Sequence, residues 1–225
     1  MKEVKNNYLN DIINYSKKQV IGIVSLIIVI SGIFGWIYEF IFYYFDKGMD
    51  KFYYQGGNFL PWINIYAYGA LLIILFSYKY KKNPFKVFII SLISTGLLEL
   101  ISGFILHKCF GLRFWNYNIE ILNFGNIGGY ICFRSITFFA LSGLLLMYII
   151  LPFCIYLSTK ISEKKFLIIS LILLSIILID DIYNLVIVKI FDLPNATSIY
   201  KNIGFNFMII KELLWEIKKL YQVLY

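Results

Sequence analysis

Long apolar runs constrain this chain more than any other feature of its sequence. They lie at about residues 20–45, 59–78, 87–107, 131–156 and 166–188. A helix needs about 20 predominantly apolar residues to cross the hydrocarbon core of a bilayer. With 60% hydrophobic and 15% charged residues, the chain is also more apolar than an ordinary soluble domain, which has about 45–50% apolar residues. The sequence therefore predicts an all-α integral membrane protein with about five transmembrane helices.

Two amphipathic segments flank this predicted membrane domain of residues 20–188. Residues 1–19 carry apolar side chains at helical spacing, which predicts a helix on the cytoplasmic surface of the membrane. Residues 189–225 repeat apolar side chains with a period of about 3.6 residues, which predicts a helix at the interface or against a partner. The expected organisation is one membrane domain between two surface helices.

The net charge of +8 comes mostly from short lysine clusters between the apolar runs. The N-terminal segment and the loops after the second and fourth runs hold four, four and three Lys/Arg residues, against two in each of the other loops between runs. The positive-inside rule therefore places the N-terminus in the cytoplasm of a multi-pass cell-membrane protein. Five spans would leave the tail's five lysines outside, against the same rule. Because the lysines flank membrane spans, they are expected to meet anionic lipid headgroups and not nucleic acid.

Several kinds of chemistry are not indicated. The three cysteines show no C-x-x-C spacing and the chain has one histidine, so neither a disulfide framework nor a metal site is predicted. There is no Walker A loop, dinucleotide fingerprint, H-E-x-x-H or G-x-S-x-G motif. We therefore predict no catalytic residue, no metal and no cofactor. Any ATP hydrolysis would need a separate ATPase subunit.

Four ionisable residues fall inside the predicted spans. Glu39, Glu99 and Asp180 lie on the order of 10 Å from the outer ends of their helices, counted at about 1.5 Å per residue. Arg134 starts closer to the end, but its side chain is long enough to reach inward. Ionisable groups at this depth are costly and usually mark functional sites. We expect Arg134 to meet Glu39 and Glu99 in one polar pocket; the alternative is an ion pair that only fixes helix register.

The neighbours of these charges support a protein-facing surface. Glu39 shares a helix face with two glycines and lies beside Trp36. Glu99 belongs to a stripe of small and polar residues on the third span, which indicates a cavity lining or a tight helix interface. The members of the stripe are Ser91, Thr95, Glu99, Ser102 and Gly103.

The connection of residues 108–130 contains Arg113, Trp115 and several glycines. We expect it either to dip back into the membrane and close the pocket, as irregular backbone can where it lines a cavity or is buried in protein, or to form an interfacial loop anchored by Trp115 and Tyr117.

At these residues the chain resembles the bacterial family of type IV ABC-transporter permeases (CmpB-like). The matching segments, in the family's order, are Gly35–Glu39, Ile65–Ala70, Leu98–Gly103, Arg113–Tyr117 and Ile131–Arg134. They cover about residues 28–160, and the fifth span with its acid also fits. The resemblance implies a membrane fold and a role in transport alongside a separate ATPase.

The leading hypothesis is a permease-like protein that binds or moves a small polar or charged solute through an outward-facing pocket. The candidate solute- or ion-binding residues are Glu39, Glu99, Arg134, Trp36, Ser102, Arg113, Trp115 and Asp180. The expected partners are the lipid bilayer, an ATPase subunit and a second copy of the chain. Two alternatives stay open: an intramembrane enzyme acting on a lipid with Glu39 or Glu99 as general base, and a non-catalytic partner or sensor subunit.

Overall fold

The computed structural model describes residues 15–47 and 57–203. Regular structure within these ranges is helical, and none of the described residues belongs to a β-strand. The helices are α1 (Lys17–Lys47), α2 (Asn64–Ser77), α3 (Pro84–Phe110), α4 (Phe133–Lys160), α5 (Glu163–Phe191) and α6 (Ala196–Asn202). Most of the two predicted amphipathic segments, residues 1–14 and 204–225, lies outside the described residues.

Four of these helices, α1, α3, α4 and α5, are long and apolar enough to cross a membrane. This confirms the predicted all-α, multi-pass membrane protein. The second predicted span contains the shorter helix α2, whose 14 residues measure about 21 Å at 1.5 Å per residue. That length is less than the hydrocarbon core of about 30 Å. The division into residues 1–19, 20–188 and 189–225 stays a prediction.

Both ends of α3 follow from local sequence. Asn83 precedes the helix, and its side chain accepts a hydrogen bond from the backbone N–H of Lys86, while Pro84 occupies the first helical position. Gly111 ends the helix in the left-handed conformation, and its N–H donates to the carbonyl of His107. These two signals fix where α3 begins and ends, and so how deep Glu99 lies along it.

Two wide π-helical turns interrupt the long helices. In α4 the turn Leu146–Ile150 comes just before Pro152, whose ring would otherwise clash with the carbonyl one turn earlier. In α5 the turn is Tyr183–Ile187. There the Asn184 side chain donates to the carbonyl of Asp180 at 3.0 Å, in competition with the backbone ladder.

The described residues divide into two compact units. The first contains residues 15–32 and 64–175, and the second contains residues 33–47, 57–63 and 176–203. The core of the first unit is a cluster of buried side chains from α1, α2, α3, α4 and α5. Its members are Ile23, Ile27, Ala70, Ile73, Val87, Leu146, Met147, Leu151, Cys154, Ile155 and Phe166.

The polar stripe on α3 forms tight contacts with neighbouring helices of the same unit. A Cβ added at Gly143 of α4 would collide with the side chain of Ser91, and one added at Gly69 of α2 would be in ordinary contact with Thr95 at 3.6 Å. Small residues allow helix backbones to come this close. The stripe is therefore a packing seam along much of its length, as one of the two interpretations of its sequence predicted.

The first unit has a lysine-rich end and a loop end. The Ser16 hydroxyl donates to the Glu163 carboxylate at 2.7 Å, and the Gln19 side chain donates to the carbonyl of Ser158 at 3.4 Å. These bonds bring together the starts of α1 and α5 and the end of α4. The exposed lysines at this end are Lys17, Lys18, Lys160, Lys164 and Lys165. The connection between α3 and α4, residues 111–132, lies at the opposite end of α4.

Candidate functional site

A buried carboxylate in α3, that of Glu99, is the centre of the candidate site. Glu99 is 3% exposed. The phenolic hydroxyl of Tyr117 donates a short hydrogen bond to one carboxylate oxygen, and the Ser135 hydroxyl donates to the other at 2.7 Å. Ser135 is held in turn by the N–H of Cys132, which donates to its Oγ at 3.3 Å. Three segments, α3, the loop and the start of α4, therefore meet at this acid.

An ion pair lies directly beside Glu99. Arg134 Nη2 is 2.5 Å from Glu120 Oε2, and the two side chains are 12% and 4% exposed. The guanidinium carbon of Arg134 lies 5.3 Å from the ring centroid of Tyr117, within the range of a cation–π contact. Tyr117 thus joins the acid and the ion pair into one cluster, which we call the Glu99 cluster: Glu99, Tyr117, Glu120, Arg134 and Ser135.

The loop that supplies Tyr117 is held by its own polar side chains. Arg113 Nη2 donates to Asn116 Oδ1 at 2.8 Å and to the carbonyl of Gly128 at 2.9 Å. Asn116 Oδ1 also accepts the N–H of Asn118 at 3.2 Å. Asn116 thereby caps the start of the short 3₁₀ turn Tyr117–Ile119. Arg113, a predicted site residue, therefore acts on the site through the loop backbone.

Gly129 is required where the loop folds back on itself. Its φ of +79° lies in the left-handed region, and a Cβ at this position would collide with the side chains of Arg113 and Asn116. The Gly129 carbonyl accepts the N–H of Tyr117 at 3.0 Å, while its own N–H donates to Asn126 Oδ1 at 2.8 Å. A glycine is thus needed to place Tyr117.

Two aromatic residues seat the loop on α3. Trp115 packs against Gly103, where an added Cβ would come within 2.9 Å of the indole ring. The indole N–H donates to the carbonyl of Tyr130 at 2.8 Å. The hydroxyl of Tyr130 lies 2.8 Å from Nδ1 of His107 on α3. These contacts hold the loop against α3 one turn beyond Glu99.

In the second unit, Asp180 has a well-defined set of donors. Its carboxylate accepts the backbone N–H groups of Phe59 and Leu60 at 3.0 and 2.7 Å. The Asn184 side chain donates to it at 2.8 Å. The neighbouring Asp181 accepts a bond from the Asn58 side chain at 3.4 Å. Both acids therefore fasten the segment before α2 to α5.

The remaining predicted residues have simpler surroundings. The Ser102 hydroxyl donates to the backbone carbonyl of Glu99 at 3.4 Å, one turn from the acid. Trp36 is half-buried in the second unit, and its ring stacks on Phe40 with centroids 5.2 Å apart. Glu39 is half-buried in the same unit. A binding role for these residues stays a prediction.

Three members of the Glu99 cluster were not among the predicted site residues. Ser135 follows Arg134 directly and lies one turn after Cys132, so its position at the helix start was a usable signal. Tyr117 belongs to one of the segments that resemble the family. Glu120 gave no signal beyond its charge, because only the fold of the loop brings it to Arg134.

Comparison with family models decides the broad identity of the chain. A model described as "Putative ABC-transporter type IV" matches residues 26–185, well over half of the chain. The chain belongs to this family. As a family member it is a transporter-type, multi-pass membrane protein, in agreement with its four long apolar helices. Comparison with curated proteins and with solved structures found no match.

Within residues 15–47 and 57–203, no cluster of three or more His, Cys, Asp or Glu side chains is placed to hold a metal ion.

Proposed function

We propose that this family member is a permease-like subunit that binds and translocates a small solute with a positively charged group, and that Glu99 binds that group. The observation that carries the proposal is the buried Glu99 carboxylate. It lies in a membrane-spanning helix and is surrounded by hydroxyl groups and an ion pair. The proposal retains the expected transport role and narrows the solute to a cationic one.

The charges of the cluster favour a cation. Glu99 and Glu120 bring two carboxylates, whereas Arg134 brings one guanidinium that stays charged. A charge inside the membrane costs about 2.5–3.5 kcal/mol on insertion scales. A bound ammonium or guanidinium group would balance the excess negative charge, and this is the physical reason to expect a cationic solute.

The hydroxyl groups beside Glu99 add acceptors for such a group. Each hydroxyl has one O–H donor and two lone pairs. Tyr117 and Ser135 donate to the carboxylate, and Ser135 Oγ, which also accepts the N–H of Cys132 at 3.3 Å, keeps one lone pair. An ammonium group at this position could therefore donate to Glu99 and to one hydroxyl together.

Access to Glu99 depends on the loop. Because Glu99 is 3% exposed, the solute reaches it only if residues 111–132 move away from α3. The loop lies at the end of α4 opposite the exposed lysines, and the positive-inside rule assigns those lysines to the cytoplasm. The site would therefore open outward, with the N-terminus inside. A separate ATPase subunit would dock at the lysine-rich end.

A ligand-stability assay with the purified protein tests the cationic preference. Thermal unfolding is measured with small alkylammonium and guanidino compounds, and with neutral amides and carboxylates of similar size. We expect one or more of the cations to stabilise the wild type and to lose this effect in Glu99→Gln. Glu163→Gln, at the lysine-rich end, is the matched control and should respond like the wild type. Equal responses of Glu99→Gln and the wild type would overturn the assignment of Glu99.

A further inference from the structure

The loop between α3 and α4 exposes an unusual number of large apolar side chains. The exposed side chains are Phe114, Ile119, Ile121, Leu122, Phe124 and Ile127, each between 46% and 75% exposed. Only two residues between Gly111 and Cys132 are charged. One of them, Glu120, is buried against Arg134. A connection in water normally shows the opposite pattern, with polar residues outside.

The polar groups of the loop are instead directed at one another. The N–H of Tyr130 donates to the carbonyl of Ile127 at 3.0 Å, and the N–H of Phe133 donates to that of Phe124 at 3.1 Å. The side chains of Asn118 and Asn126 pair at 2.7 Å. A lipid-exposed irregular loop cannot lie within the hydrocarbon core, but internal pairing reduces the number of unpaired polar groups that such a loop brings to the interface above that core. This loop has much of that internal pairing.

The apolar surface of the loop continues the exposed surface of the spans. Phe104 on α3 and Phe110 at its end are 50% and 66% exposed, and Phe133 at the start of α4 is 52% exposed. Both helices are membrane spans, so their exposed apolar side chains face lipid. Continuity with this lipid-facing surface argues for lipid as the occupant of the loop surface.

We propose that the exposed apolar side chains of residues 114–127 are inserted among the lipids of the leaflet at this end of α3 and α4. The partner is the interface of that leaflet: the side chains reach the upper acyl chains, while the loop backbone stays at the level of the glycerol and headgroup region, above the hydrocarbon core. With the loop at this level, Arg113, which is exposed and bonded to Asn116 and Gly128, would lie close to the lipid phosphates. The inference depends on the membrane assignment and not on the solute proposed for Glu99.

The test measures lipid contact at single labelled positions in the full-length protein. Cys109 is exposed, whereas Cys132 and Cys154 are buried, so a Cys109→Ser background should label weakly before a new cysteine is added. Leu122→Cys and Ile119→Cys carry a bimane fluorophore on the loop. Ile172→Cys on α5 is the lipid-facing control, and Lys82→Cys, in the connection between α2 and α3, is the exposed control. The labelled proteins are reconstituted in phosphatidylcholine vesicles with and without lipid brominated along the acyl chain.

Two quenchers then separate the possible environments. We expect brominated lipid to quench the loop positions as it quenches Ile172→Cys, with iodide quenching several-fold weaker than at Lys82→Cys. Strong iodide quenching without lipid quenching would place the loop in water and overturn the proposal. Protection from both quenchers would mean that protein covers the surface, and this result would also overturn it.

Discussion

The hydrogen bond from Tyr117 to Glu99 gives the sharpest quantitative prediction. Tyr117→Phe keeps the aromatic ring over which Arg134 lies and removes only the hydroxyl. The Glu99 carboxylate then loses one of its two hydroxyl donors. A hydrogen bond to a charged group contributes about 1.5–3 kcal/mol, so we expect the free energy of unfolding to fall by that amount.

The loss should depend on the charge of Glu99. In a Glu99→Gln background, Tyr117→Phe removes a bond to a neutral amide, which contributes about 0.5–1.5 kcal/mol. The midpoints of these two ranges differ by about 1 kcal/mol, so the double-mutant cycle should show a coupling energy of that size, above the additivity error of about 0.3–0.5 kcal/mol. Reversible unfolding in mixed detergent micelles provides the four free energies.

A matched tyrosine provides the control. Tyr80 contacts Lys79 and Lys86 through its ring, and Tyr80→Phe retains that ring. It should change the free energy of unfolding by less than about 0.5 kcal/mol. Additive effects of Tyr117→Phe and Glu99→Gln would mean that the two side chains do not stabilise the protein through their hydrogen bond. An equal loss of stability in Tyr80→Phe would mean that the loss in Tyr117→Phe does not come from the bond to Glu99. Either result would contradict the idea that this bond holds the loop on α3.

Three further predictions concern the loop, the second unit and the cysteines. Gly129→Ala forces a Cβ into a left-handed turn already filled by side chains, so limited proteolysis should cut the loop faster than in the wild type; unchanged cleavage would refute this. Asp180→Asn weakens the bonds to two backbone N–H groups and should lower the free energy of unfolding by about 1–3 kcal/mol. The control is Asp192→Asn at an exposed position. It should change the free energy of unfolding little, because asparagine tolerates the left-handed conformation found there. A water-soluble maleimide should label Cys109 and spare the two buried cysteines until the protein unfolds, and rapid labelling of a second thiol would contradict the described packing.

The sequence was sufficient to predict the membrane class and two charged members of the site. Glu99 and Arg134 could be found because ionisable residues in apolar helices are rare and costly. The helix period also placed Glu99 on a stripe of small residues, which the structure shows packed against α2 and α4. These inferences needed only local sequence and the physics of the bilayer.

The loop contribution could not be predicted in the same way. The path of residues 111–132 depends on bonds between distant residues, such as Arg113 to Gly128 and Trp115 to Tyr130. No helix or strand period relates these positions. The ion pair of Arg134 with Glu120 therefore could not be read from the sequence. The sequence also placed Asp180 inside a span. Its partners are the backbone N–H groups of Phe59 and Leu60, which belong to the predicted second span but lie before the start of α2.

Solute uptake into membrane vesicles tests the central claim most directly. The measurement compares wild type, Glu99→Gln and the control Asp192→Asn, with the labelled cationic compound that stabilises the purified protein best. We predict uptake by the wild type and by Asp192→Asn, and loss of uptake in Glu99→Gln at equal amounts of protein in the membrane. Uptake by Glu99→Gln at the wild-type rate would contradict the assignment of Glu99 as the residue that binds the solute.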